Sequence, residues 1–198
     1  VLFRFERAKS RRPKIFIILG LLGLCGAIGE GAASDWGGVL IRDTWHAKGF
    51  LVSLPFVLFC FTMVGGRLSG DFLAHKFGPK NLITFAGLVA GIGLASGLLI
   101  GGVIGTLFAW LTLGIGLSVV IPMMFSAAGS IADKEYKSVI SNGEAIAIVS
   151  GVTYFGFMVG PPSMGALADS LGLRWAMLIP AGLSILLALS ARKFLTSS

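Results

Sequence analysis

From Asn81 to Ala132 the chain carries no formal charge. As one straight helix this stretch would extend roughly 78 Å, against a bilayer hydrocarbon core of about 30 Å. It must fold back on itself. The glycine-rich segment at Gly97, Gly101, Gly102 and Gly105 marks the turn and predicts two helices, over about 81–100 and 105–128. Apolar stretches of similar length predict further spans over about 15–41, 49–66, 145–166 and 175–191, the first interrupted only by Glu30 and Asp35. Composition agrees, since 55% of residues are hydrophobic and 13% charged, where a soluble domain carries roughly a quarter. A chain so poor in charge cannot cover its own surface with polar groups. The fold class that follows is an all-α integral membrane protein of six transmembrane helices.

The 16 basic and 9 acidic residues give a net charge of +7, which in a soluble protein would raise nucleic-acid binding. Placement decides otherwise. With a cytoplasmic N-terminus, the inner side receives Arg4, Arg7, Lys9, Arg11, Arg12 and Lys14, then Arg67, Lys76 and Lys80, then Lys134 and Lys137, then Arg192 and Lys193. Only Arg42, Lys48 and Arg174 fall outside, the bias of the positive-inside rule. Both termini are expected in the cytoplasm, with a basic linker over 1–14, the bundle over 15–192 and a tail over 193–198. Trp36, Trp45, Trp110 and Trp175 fall at or near predicted outer ends, where an interfacial indole is favoured. A secretory signal peptide fits the basic start poorly, because the apolar run continues past Glu30 without an A-x-A site. Cys25 and Cys60 lie within spans and read as buried apolar thiols rather than a disulfide or metal pair.

Gly87 and Gly91, and likewise Gly93, Gly97, Gly101 and Gly105, recur every four residues and predict close helix packing. The string GIGLASG from Gly91 to Gly97 has the wrong spacing for a nucleotide fingerprint. Pro122, Pro161 and Pro162 remove backbone donors inside predicted spans and predict bends, from simple packing or from a pocket-lining helix. The second span ends GRLSGD (Gly66–Asp71) and the fifth ends GALAD (Gly165–Asp169). Each is the middle helix of a three-helix set, on opposite faces, as an inverted 3+3 repeat requires.

These residues resemble the major facilitator superfamily. The stretch GRLSGDFLAHKFGPK looks like the signature loop between the second and third helices of a six-helix half, with Gly66, Arg67, Leu68, Asp71, Lys76, Gly78 and Lys80 fitting and His75 and Pro79 departing from it. GFMVGPPSMG, with Gly156, Gly160, Pro161 and Gly165, resembles the helix-bend motif of the fifth helix, Met164 replacing one glycine. GEGAASDW, from Gly29 to Trp36, resembles a bacterial subgroup distantly related to sugar permeases of the fucose type. The resemblance implies helices seven to twelve of a twelve-helix transporter in the bacterial inner (plasma) membrane. It also implies membrane lipid, a small solute and an N-terminal half or a homodimer mate as partners, and no cofactor.

Glu30 is the strongest candidate for chemistry. It lies about 24 Å along the first helix from Lys14, between midplane and outer surface. A carboxylate there costs several kcal/mol unless paired, hydrated or protonated, so it is a candidate proton-coupling or substrate-contact group. Its flanking glycines, Gly29 and Gly31, weaken the helix locally. Asp35 reads as interfacial. Asp71 reads as a solvated turn residue or, by the resemblance, as part of a gate. Glu144 complements the helix dipole after an Asn142 cap. Phe56, Phe59, Met123, Met124, Phe125, Tyr154, Phe155 and Phe157 either line a cavity or pack between helices. His46 has no companion spaced for a metal site. No phosphate-binding loop, nucleophile elbow or H-E-x-x-H is present, so the chain is not expected to be an enzyme. The reading is a secondary active transporter using alternating access; a non-transporting six-helix partner protein is the alternative.

Overall fold

The computed structural model describes residues 14–194. The expected linker, apart from Lys14, and the tail beyond Phe194 lie outside the described residues. Eight α-helices follow one another, α1 (Lys14–Trp45), α2 (Leu54–Phe77), α3 (Pro79–Ile100), α4 (Gly102–Leu117), α5 (Val120–Glu135), α6 (Asn142–Leu171), α7 (Leu173–Ala176) and α8 (Leu178–Phe194), with a 3-10 turn over Gly49–Val52. Six segments are long and apolar enough to cross a membrane: α1, α2, α3, α4 with α5, α6, and α7 with α8. Among the described residues there is no strand.

The packing carries the inverted repeat. If spans one to three superpose on four to six, the contact of span one with span five must recur as span four with span two, and that of three with four as six with one. All four contacts are present, α1 with α6, α4 with α2, α3 with α4 and α8 with α1, and span three packs on span six across the axis. The two copies of the repeated motif use their leading glycine alike. Gly66 of α2 abuts Ser118 in the fourth span, and Gly165 of α6 abuts the Trp36 ring in the first.

Small residues set the helix spacing. The glycine ladder of α3 divides between two neighbours: Gly87 and Gly91 meet α8 at Ala188 and Ile185, while Gly93 and Gly97 meet α4 at Thr112 and Ala109. Such approach is worth more in lipid than in water, because dispersion and close backbones, not apolar burial, drive helices together there. The turn between α3 and α4 falls at Gly101 and Gly102, whose φ angles of 74° and 67° lie in the left-handed region that favours glycine.

Several expectations are corrected. The second span was expected to end at Gly66, with Gly66–Lys80 as a loop. Instead α2 continues to Phe77 and stops at Gly78, whose φ is 79° and whose N–H bonds the Ala74 carbonyl. Nothing between Gly66 and Phe77 breaks a helix, and a helix satisfies its own backbone inside or outside the bilayer. Gly49–Val52 belongs to the turn before α2. The fourth span is interrupted at Ser118 and Val119, ahead of Pro122, and Pro161 and Pro162 lie inside one continuous helix, α6. Gly29 and Gly31 do not interrupt α1. Trp110 does not present its ring at the protein surface. It is fully buried, and its Nε1 donates to the Ala33 carbonyl at 2.9 Å, in space left by Gly37. The cap of α6 is Ser141 rather than Asn142: its Oγ accepts from the Glu144 N–H while Glu144 accepts from the Ser141 N–H at 2.9 Å, a reciprocal capping box. Asn142 donates to Asp133 instead.

Candidate functional site

Glu30 sits midway along α1, and the residue that answers it is Arg67, midway along α2. Arg67 Nη2 lies 3.1 Å from Glu30 Oε1 and 3.5 Å from Oε2. The carboxylate is largely shielded, at 18% side-chain exposure, and the guanidinium is half-exposed at 49%. Arg67 was expected at the inner surface beside Asp71. It stands ten residues before the end of α2, about 15 Å from it, so it shares the depth of Glu30 instead. The pairing removes much of the cost of isolated charge in the apolar region.

The glycines beside Glu30 seat the neighbouring helices. A side chain at Gly29 would strike Leu117 of α4, and one at Gly31 would come into ordinary contact with Pro161 and Phe157 of α6. Glu30 is therefore held between α4 and α6 and turned toward α2. Ser34, one turn on, donates its hydroxyl to the Glu30 carbonyl at 2.9 Å. The four residues of the helix-bend motif all face α1 across this contact: Gly156 at Leu24 and Ala27, Gly160 at Ile28, Pro161 at Gly31, Gly165 at Trp36. Next to Phe157 lies an aromatic group, with Tyr154 6.0 Å from Phe157 and 6.3 Å from Phe125 between ring centroids. Phe59 and Met124 are buried in the core, whereas Tyr154 and Phe155 are exposed.

The remaining motif residues gather elsewhere. Asp71, His75, Gly78 and Lys80 line a cavity of about 460 Å3 at the junction of α2, α3 and α5, together with Lys134 and Glu135. Lys76 does not line it; its Nζ lies over the Phe77 ring. The signature stretch is thus split in two, with Gly66 and Arg67 in the middle of the bundle and the rest at one end. Among the described residues no cluster of metal-ligating side chains forms.

At the opposite end, Arg174 does work that the sequence reading missed. Its Nε donates to the Leu98 carbonyl at 2.8 Å and its Nη2 to that of Leu99 at 3.2 Å, satisfying the end of α3, while its guanidinium lies between the Trp45 and Trp175 rings.

No known family profile matches the chain. Curated relatives do. The membrane protein MosC of Rhizobium meliloti is 28% identical over 172 residues, 87% of this chain and 41% of that protein. An uncharacterized MFS-type transporter of Yersinia pestis is 26% identical over 176 residues, 89% of this chain and 44% of its own length. The uncharacterized transporter y4wD of Sinorhizobium fredii is 28% identical over 175 residues, 88% and 45% respectively. The chain thus spans less than half the length of each. Among solved structures, the major facilitator superfamily transporter FucP in its outward conformation superposes with a TM-score of 0.74 at 21% identity, over 94% of this chain and 44% of that one. The chain has the fold of one six-helix half of the major facilitator superfamily.

In that fold α1 is the first of the six spans, and it carries Glu30 at its midpoint. The chain is a multi-pass membrane protein, and its surface divides accordingly. The exposed side chains of α3 and α8 in the spanning region are apolar, as at Phe85, Ile92, Leu186 and Leu189. Charge reaches the surface in the middle of a span at Arg67 of α2, the least buried of the six spans.

Proposed function

We propose that this chain is one half of a secondary transporter that moves a small solute by alternating access, its α1, α2 and α6 face closing on a second six-helix bundle. That bundle is an N-terminal half or a second copy of the chain, and the solute binds between the two. The observation that carries the reading is the Glu30–Arg67 pair, a charged couple in mid-span on a face that lipid cannot solvate. Relatives of about twice this length support a second bundle. Cation placement supports cytoplasmic termini in a bacterial inner membrane.

Glu30 is the coupling or solute-contact residue in this reading. Asp71, with Lys80, Lys134 and Glu135 around the end cavity, forms the gate: charges that pair across the bundles in one state and separate in the other. The decisive measurement is uptake by the full-length protein in liposomes with an imposed proton gradient. Gradient-dependent accumulation supports the reading, and its absence for every solute tried sinks it. Unchanged pH dependence in Glu30→Gln would remove proton coupling from it. Asp71→Asn is expected to slow exchange while leaving solute affinity intact.

A further inference from the structure

We infer that the solute is a small anion, held by the Arg67 guanidinium in place of the Glu30 carboxylate, with Glu30 taking up a proton as the anion arrives. This rests on the transport reading above and names the chemistry of the same site.

Geometry carries the inference. Glu30 engages the guanidinium through Nη2 alone, and among the described residues nothing accepts from Nε or Nη1. Of the exposed residues along this side of α2, Phe61, Val64, Leu68 and Phe72 offer no acceptor, and Asp71, one turn toward the end cavity, is exposed and makes no hydrogen bond to Arg67. A guanidinium presents a planar fork of donors that a carboxylate or phosphate fills with two parallel bonds. One anionic ligand would satisfy what the protein leaves open. A neutral polyol would supply only weaker, single acceptors.

Charge balance supplies the coupling. With the pair formed the site is neutral. Adding an anion leaves one net negative charge in a low-dielectric region, and one proton on Glu30 cancels it. The proton moves from water to the Glu30 oxygen released by Arg67, and no covalent bond is made or broken. Among the described residues no further cation offsets the anion. Against this stretch of α1, α4 and α5 present Leu117 and Val120, and α6 presents Phe157 and Pro161 with the Tyr154 phenol a turn away. On α2 the Cys60 thiol lies on one side of Arg67 and the exposed Asp71 carboxylate one turn on the other, a further negative charge that opposes the anion, and Asp35 on α1 is exposed. The anion and the proton therefore strengthen each other's binding reciprocally.

The test uses the full-length protein in detergent, its melting temperature followed against lactate, succinate, D-gluconate and D-glucuronate, and against the neutral glycerol, D-glucose and L-fucose. At least one anion is expected to raise the melting temperature, more at acidic than at alkaline pH. Glu30→Gln should tighten that anion at alkaline pH by roughly tenfold or more and abolish the pH dependence. Arg67→Gln should abolish the response. Arg67→Lys, which keeps the charge but not the fork, should weaken it and controls for folding. Stabilisation by neutral solutes alone, by no solute, or by an anion that binds Glu30→Gln more weakly overturns the inference. Gradient-driven uptake of a neutral solute would overturn it while leaving the transport reading intact.

Discussion

Arg67 and Glu30, 37 positions apart in sequence, meet through Nη2 and Oε1 at 3.1 Å. The contact joins the middles of α1 and α2, which otherwise touch less than α1 and α6 do. The two partners are unequally protected, and that inequality has a measurable sign. Arg67→Gln strands a carboxylate that is 18% exposed, whereas Glu30→Gln strands a guanidinium that is 49% exposed and can hydrate. In a double-mutant cycle followed by reversible unfolding in mixed micelles, Arg67→Gln should be the costlier single change. The coupling should be about 1 kcal/mol, below that of a fully buried pair. A coupling of zero would mean that the contact contributes nothing to the fold.

Arg174 should behave as a structural staple. Arg174→Lys retains a cation near Trp45 and Trp175 but loses the two-pronged contact with the Leu98 and Leu99 carbonyls. It is expected to cost about 1–2 kcal/mol, with Arg174→Ala costing more. Thermal unfolding of the purified variants checks the order.

Two glycines of α6 offer a matched comparison. A side chain at Gly156 meets the Leu24 carbonyl and Ala27 of α1, while one at Gly151 meets nothing within 4 Å. Gly156→Leu should destabilise by about 3 kcal/mol or more, and Gly151→Leu should stay within about 0.5 kcal/mol of the parent. Equal effects would show that α1 and α6 do not approach as described.

The capping box at the start of α6 is expected to contribute locally. Ser141→Ala removes the acceptor for the Glu144 N–H and should cost about 1 kcal/mol. Hydrogen exchange should quicken in the first turn of α6 and remain unchanged near Gly160.

Trp110→Phe tests burial against hydrogen bonding. The smaller ring keeps most of the apolar contact but leaves the Ala33 carbonyl without its indole donor. A loss of about 1–3 kcal/mol is expected, read as a fall in melting temperature.

Six spans, their order and the turn at Gly101 and Gly102 were legible in the residues alone. The reason is local: each membrane segment must be apolar over its own length and must satisfy its own backbone, so hydropathy and glycine placement report it directly. The repeated GRLSGD and GALAD strings likewise announced an internal symmetry that the packing displays. What tertiary structure decided was every relationship between helices. It showed that Gly29 and Gly31 seat Leu117, Pro161 and Phe157 rather than loosen α1, and that Trp110 lies inside the bundle. It also moved Arg67 from an expected loop to the side of Glu30. A pairing between helices depends on their relative depth and rotation, and side-chain packing sets these over contacts far apart in sequence. The acid in the first span was visible from the start and the base was read as part of a basic loop, and only the packed bundle made them one site.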